Sequence, residues 1–284
     1  MAQYFLNGIA ISSLINSICV GPFDMTSNVD LAEVDDIAIV TMDNGGHVTT
    51  IDIPMCQGLL RALDEIADRN EHRTVILRAT GKAFSAGGDL AQIFAAIDRS
   101  DNAYLDELIT TYHATILAIR RLAVPVIASV HGAAAGAGFS LALACDVVVA
   151  SSAARFVTGY PKLGTSTDGG LSFQLTRRLG AARAIDVLLL QDYLTAEDAL
   201  SLGLVQRVCE SQSLCPTTLE TAEKLAHYPS AGVTEIKSLV RRISDDGLEE
   251  YLEQEKQAFI RCAQTKEFGE RIAKFVQQSG GKKG

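Results

Sequence analysis

His131-Gly-Ala-Ala-Ala-Gly-Ala-Gly-Phe-Ser-Leu-Ala-Leu-Ala-Cys-Asp146 decides the reading of this chain. It follows Val124–Val130 (VPVIASV), an apolar run that reads as a strand, and it enters a helix over Ala137–Ala144. Every residue from Gly132 to Gly138 is Gly or Ala. Such a run costs conformational entropy on folding, and it makes sense where backbone must come close to something else. A helix start there presents unpaired N–H groups and the positive end of the dipole. Both favour an oxyanion or an enolate oxygen. Tight helix–sheet packing also selects Gly and Ala, so this run alone leaves two readings open.

A second glycine-rich stretch lies upstream. Lys82-Ala-Phe-Ser-Ala-Gly-Gly-Asp-Leu90 also follows a strand, Thr74–Arg78, and opens a helix, Ala91–Ile97. Gly87 and Gly88 allow a turn whose amides point outward. Read by itself it is equally a strand–helix turn capped by Asp89.

Around these two motifs the pattern alternates. Ile37–Met42 is a β-branched run ended by the turn residues Asp43-Asn44-Gly45-Gly46. Ile53–Arg69 and Tyr104–Leu122 carry apolar residues at helical spacing, and the second ends on Arg120-Arg121, which suits a helix C-terminus. Val147–Ala150 and Phe156–Val157 read as strands, and Thr195–Asp198 resembles a capping box. Short strands alternating with helices predict an α/β fold with helices packed outside the sheets. Beyond about residue 210 only helices are expected: Thr217–His227, Gly232–Ile243, Leu248–Thr265 and Lys266–Gln278. We divide the chain into an N-terminal extension (1–33), a core (34–214) and a C-terminal helical region (215–284), the last read as a packing or assembly element.

The bulk properties exclude several classes. The chain has 284 residues, 48% hydrophobic and 21% charged, which is globular composition. A net charge of −9 argues against nucleic-acid binding, which needs a basic footprint. Six scattered cysteines without CxxC spacing read as free, mostly buried thiols. The five histidines never fall in i, i+4 pairs, and no P-loop or dinucleotide fingerprint occurs, so no metal or separate cofactor is expected. Tyr4–Val20 is apolar but lacks a basic leader and is interrupted by Asn7 and Asn16, so it reads as an extension rather than a signal peptide. No segment reads as membrane-spanning. The expected location is the cytoplasm.

Taken together, AFSAGGDL, then about forty residues, then the strand and HGAAAGAGFSLALACD, resemble the enoyl-CoA hydratase/isomerase (crotonase) superfamily. The likeness runs from about Val34 to Thr265 and includes Gly203–Val208 (GLVQRV). It implies a crotonase-type spiral of ββα repeats with an all-α C-terminal region that assembles a homotrimer or a hexamer of two trimers. It implies an acyl-CoA thioester as substrate, with coenzyme A arriving as part of it. It places an oxyanion hole at the amides of Gly88 and Ala137, with Lys82, Phe84, Ser85, Ala86 and Gly136 among the substrate-binding residues. The family's usual Asn-Arg-Pro loop is replaced here by Met42-Asp-Asn-Gly-Gly-His-Val48.

The reaction turns on three positions. Hydratases of the family use two glutamates, and the matching positions here are Ser140 and Tyr160. Adding water across a C=C bond needs one group to activate water and one to protonate carbon. A two-glutamate hydratase is therefore disfavoured. Asp168, in Leu163-Gly-Thr-Ser-Thr-Asp-Gly-Gly170, stands where family Δ3,Δ2-enoyl-CoA isomerases carry their catalytic acid. One carboxylate suffices for a 1,3-proton shift through an enolate. Asp168 before Gly-Gly and an apolar run is also good capping chemistry for the helix Leu171–Arg178. His113 matches the place of a catalytic histidine in aryl-CoA dehalogenases of the superfamily, and is otherwise a helix residue facing the core. His131, Asp89 and Asp146 read as structural. The leading expectation is a Δ3-to-Δ2 enoyl-CoA isomerase with Asp168 as acid and base. An atypical hydratase, a decarboxylase, a dehalogenase with Asp168 as nucleophile and an inactive crotonase-fold scaffold remain alternatives.

Overall fold

The computed structural model of the chain describes residues 28–280. Tyr4–Val20 and the glycine-lysine end lie outside the described residues.

Among the described residues nine strands form two sheets. The first has six strands in the order β1 (Val29–Val34), β2 (Ile37–Met42), β3 (Thr74–Ala79), β4 (Val126–Val130), β6 (Val147–Ser151), β9 (Arg207–Cys209). β1 and β2 form an antiparallel hairpin, and every later pair is parallel. All six residues of β2 are buried, as expected of a strand covered on both faces. The second sheet joins β5 (Ala133–Ala135), β7 (Arg155–Val157) and β8 (Tyr193–Thr195).

Two single bridges extend the second sheet backwards: Ser85 pairs with Ala134, and Ile51 with Gly88. The chain therefore repeats one movement. β2, β3, β4 and β6 each add a strand to the first sheet. Each is followed by a short extended piece in the second: Ile51, Ser85–Gly88, β5 and β7. A helix then returns the chain: α1 (Ile53–Arg69), α2 (Leu90–Asp98) with α3 (Asn102–Arg121), α4 (Ala137–Ala144), and α5 (Tyr160–Leu163) with α6 (Leu171–Leu179). This is the expected ββα spiral.

The helix starts are specified locally. Asp52 caps α1 by accepting from the Met55 N–H at 2.8 Å, and Asp89 caps α2 by accepting from Ala91 and Gln92, each at 3.0 Å. Thr195 and Asp198 form the expected capping box at α8 (Ala196–Ser201). Asp146 anchors the loop after α4 by accepting from the Val126 amide and pairing with Lys237 and Arg241. Between α6 and β8 the chain passes through α7 (Ala181–Ile185) and a π-helical turn, Asp186–Leu190.

Four helices follow β9: α9 (Leu214–Ala226), α10 (Ser230–Ser244), α11 (Leu248–Ala263) and α12 (Lys266–Gly280). α9 lies on the first sheet, where Leu214, Leu219 and Ala222 pack with Ile37, Ile76 and Ile127. α11 and α12 cover α2 and α3, with Phe259, Phe268 and Ile272 against Ile93, Leu105 and Ile109. Burying side chains of that size stabilises by roughly 1.5–3 kcal/mol each.

Three features depart from the sequence reading. β1 begins inside the stretch assigned to the extension, because Val29–Val34 pairs residue for residue with β2. α11 and α12 are more than a packing element: the apolar faces of α2 and α3 need covering, and the cover becomes a cavity wall. Cys56, Cys145, Cys209 and Cys262 are free thiols, whereas Cys215 is disulfide-bonded, which spacing along the sequence does not reveal.

Candidate active site

The two glycine-rich stretches lie against each other. Phe84 donates to His131 O at 2.8 Å, Ser85 donates to Ala133 O at 3.0 Å, and Ala135 returns a bond to Ser85 O at 2.9 Å. Both readings of the small residues hold, at different positions. A Cβ on Gly138 would stand 2.6 Å from the Ser85 Cβ, so this glycine serves packing. Gly87 has φ +89° and a Cβ there would stand 2.7 Å from Ala135 O, so this glycine shapes the turn that aims the next amide.

That next amide is Gly88 N–H. Among the described residues it has no acceptor, although its neighbours donate to Ser85 Oγ and Ile51 O. Ala137 is the first residue of α4, so its N–H cannot bond within the helix, and it too has no acceptor among the described residues. Gly88 and Ala137 both line one cavity of about 880 Å³. Two unmet backbone donors at a helix start suit a developing oxyanion. Tyr112 of α3, buried, holds the same residue from its other side by donating to Ala137 O at 2.5 Å.

Asp168 reaches this cavity from the loop before α6. Its carboxylate does not cap that helix. The N-cap is Gly170, without a side-chain cap bond, and only the Asp168 main-chain carbonyl accepts from Leu171. Tyr160 donates its hydroxyl to Asp168 Oδ1 at 3.4 Å, a long bond. Burial and the charge of Glu255 push the Asp168 carboxyl up to about 7, against the lowering effect of Tyr160.

The loop around Asp168 is held through its backbone. Ser140 donates its hydroxyl to Asp168 O at 2.8 Å. Gly169 N–H donates to His113 Nε2 at 3.3 Å. Gly170 N–H donates to Glu255 Oε2 at 2.7 Å, while Thr167 and Ser172 donate their hydroxyls to Glu255 Oε1 at 2.6 and 3.0 Å. His113 is buried, and desolvation drives its imidazole down to about 4. It is neutral at pH 7 and accepts at Nε2.

The remaining expected residues divide by facing. Ala86, Gly136 and Tyr160 line the cavity. Phe84 and Ser85 are both fully buried and are not part of the cavity wall. Lys82 is exposed and is not part of the cavity wall. His131 is hydrogen-bonded to Gly81 O at 3.1 Å and is not part of the cavity wall. The sequence reading missed Tyr112 and Glu255, and it missed the outer wall: Leu163 with Phe259, Phe268, Arg271 and Lys274 of α11 and α12. Among the described residues no group of three or more His, Cys, Asp or Glu could hold a metal ion.

A ββα spiral whose two glycine-rich turns leave paired amides open on one cavity defines a crotonase-fold protein. The chain belongs to the enoyl-CoA hydratase/isomerase family, whose model matches residues 33–280. It is 31% identical over 242 residues to the trans-2-decenoyl-[acyl-carrier-protein] isomerase of Streptococcus mutans serotype c, covering 85% of this chain and 92% of that protein. It is 30% identical over 242 residues to a probable enoyl-CoA hydratase of Rhodobacter capsulatus, covering 85% and 92%. The crystal structure of an enoyl-CoA hydratase from Bacillus halodurans superposes with a TM-score of 0.83 at 26% identity, covering 87% of this chain and 100% of that one. These relatives carry the names of two different reactions, so family membership alone does not choose between them.

Proposed function

We propose that this enzyme moves a C=C bond from the Δ3 to the Δ2 position of an acyl-CoA thioester, through an enolate held by the Gly88 and Ala137 amides, with Asp168 as the single acid and base. One observation carries the choice. Ser140 and Tyr160, at the positions that the resemblance gives to the two hydratase glutamates, both turn to Asp168: Tyr160 donates to its carboxylate and Ser140 to its main-chain carbonyl. The site is thus arranged around one carboxylate.

The steps follow from that arrangement. The thioester oxygen accepts from the two amides. Ionised Asp168 removes a proton from C2, and the C–H electron pair moves toward the carbonyl, giving a dienolate whose oxygen the amides stabilise. One such donor contributes roughly 2.7–4 kcal/mol. Protonated Asp168 then delivers the proton to C4, the remaining double bond settles between C2 and C3, and the carboxylate is restored. A group that takes and returns the same proton works best with a pKa near the working pH, and about 7 meets that condition.

Arg271, Lys274 and Lys162 on the cavity wall support an anionic carrier such as coenzyme A. The exposed side chains Ile236, Leu239, Val240 and Ile243 of α10 support self-assembly as a trimer or hexamer. Among the described residues no helix is long and apolar enough to cross a membrane.

The test is 3-hexenoyl-CoA in D₂O, with the same acyl group on acyl carrier protein as a second carrier. The expected outcome is conjugation to the 2-enoyl thioester, with deuterium at C4 only to the extent that protonated Asp168 exchanges with solvent before it returns the proton, and a loss of roughly 10²–10⁴-fold in Asp168→Asn. A 3-hydroxyacyl product as the main product, or full activity in Asp168→Asn, overturns the assignment.

A further inference from the structure

Glu255 is a carboxylate that the proposed mechanism does not use. It comes from α11, is 5% exposed, and has no cationic partner among the described residues. Its neighbour Lys256 turns the other way, to Asp106 and Glu253 at 3.3 and 3.1 Å. A buried carboxylate without a cation is costly unless other donors replace the lost water. Here three donors do so: the Gly170 amide and the hydroxyls of Thr167 and Ser172. Ser172 is itself in contact with the Tyr251 hydroxyl at 2.9 Å. Two of the three donors flank Asp168 in sequence, at 167 and 170.

The two acids of this region therefore live in unlike settings. Glu255 has three bonds from donors, which act against the rise that burial imposes on its carboxyl, and no opening to the cavity. Asp168 has one long bond from Tyr160 and faces the cavity. Where two interacting acids differ in this way, the well-donated one stays ionised and the other takes the proton. We propose that Glu255 is a positioning residue of this active site: it ties down the Thr167–Gly170 loop and keeps a fixed negative charge behind Asp168, so that Asp168 is the carboxylate that carries the transferable proton. This rests on the isomerase reading for its use in turnover, but not for its electrostatics.

The other groups around the pair do not supply that charge. Tyr160 faces both acids, while Tyr112 and Cys56 feel the Asp168 charge, and in all three burial drives the proton affinity up. His113 is neutral. Removing the Glu255 charge removes the like-charge effect that adds to burial in raising Asp168.

The experiment compares the full-length wild-type enzyme, Glu255→Gln and Glu255→Asp. The Asp168 carboxyl band is followed by infrared titration, identified by its loss in Asp168→Asn, and kcat/KM for 3-hexenoyl-CoA is measured against pH. In Glu255→Gln, which keeps an acceptor for Gly170, the Asp168 midpoint and the acid limb of kcat/KM should both move toward acid by about one pH unit. In Glu255→Asp, which keeps the charge, the midpoint should stay near that of the wild type even where the rate falls. Equal midpoints in wild type and Glu255→Gln overturn the inference, and so does an equal displacement in both variants. If Glu255→Gln does not fold, a Glu255→Asp midpoint displaced as far as one pH unit overturns it and an unmoved one supports it. A midpoint that moves as expected in an enzyme inert toward 3-enoyl thioesters upholds the Glu255 inference and sinks only the isomerase reading.

Discussion

Asp168→Asn should stabilise the fold at the same pH at which it removes activity. The folded carboxyl titrates at about 7, against roughly 3.9 in an unfolded chain. Between those values the native state binds a proton that the unfolded state has released. Stability from this group is therefore fully present below about pH 4, falls as pH rises through the window, and stays lost above 7. A span of about three pH units at roughly 1.36 kcal/mol each gives an upper limit near 4 kcal/mol. Asp168 is only half-buried, and water on the cavity side screens its charge, so about 2 kcal/mol is the working figure. Urea unfolding of wild type and Asp168→Asn at pH 4 and pH 8 measures it. The wild type should lose about 2 kcal/mol more than the variant between the two, or roughly 4–8 °C in Tm for a protein of this size. His113, held neutral with a pKa of about 4, gives the opposite slope at low pH, but both proteins carry it and it cancels in the difference. Parallel pH profiles would refute the reasoning, since the carboxyl would then be no harder to ionise in the fold than in the open chain.

Three further outcomes follow from single contacts. His113→Gln keeps an acceptor for the Gly169 amide and should retain activity within about threefold, whereas His113→Leu strands that buried N–H at a cost of roughly 1–3 kcal/mol; loss in the Gln variant as deep as in Asp168→Asn would make His113 a chemical participant. Tyr160→Phe removes the hydroxyl that favours ionised Asp168, so the acid limb of kcat/KM should move toward alkali, opposite in sign to Glu255→Gln, and a limb that stays in place would deny the contact. Gly87→Ala puts a Cβ 2.7 Å from Ala135 O at φ +89°; thermal melts and initial rates should show a loss of about 1–3 kcal/mol in stability and, as the Gly88 amide is displaced, up to roughly 10²-fold in kcat.

The parts of the fold that sequence made legible were those with local causes. β2, β3, β4 and β6 are β-branched runs, and Asp52, Asp89 and Thr195 are caps that work within three residues. β5 is Ala-Ala-Ala, with no strand propensity of its own; it is extended because Ala133–Ala135 pairs with Arg155–Val157. The open amides of Gly88 and Ala137 were legible because a close backbone approach forces Gly and Ala into the chain, and that leaves a compositional trace. Glu255 and Tyr112 left none. Each sits on an amphipathic helix, Glu255 among exposed Glu and Gln, and each acquires its role from a partner 25 to 88 residues away. The cavity wall from α12 was illegible for the same reason, because a helix's apolar stripe does not name what it covers.

The substitutions at Ser140 and Tyr160 and the proton affinity of Asp168 are parts of one arrangement. With two catalytic carboxylates, one can hold a proton while the other is ionised, and neither needs to do both. With one, the proposed isomerisation requires the same group to be a base for C2 and an acid for C4 within a turnover, so its two forms must be nearly equal in free energy. An exposed Asp near 4 is too weak a base at pH 7, and a fully desolvated one would not ionise. Asp168 lies between these limits because three residues and burial share the work: Glu255 and burial press the proton on, Tyr160 eases it off, and Ser140 holds the main-chain carbonyl of Asp168. Restoring a glutamate at 140 alone should therefore not restore hydration. It would remove the hydroxyl that holds Asp168 O and add a third acid to a pocket already balanced for one.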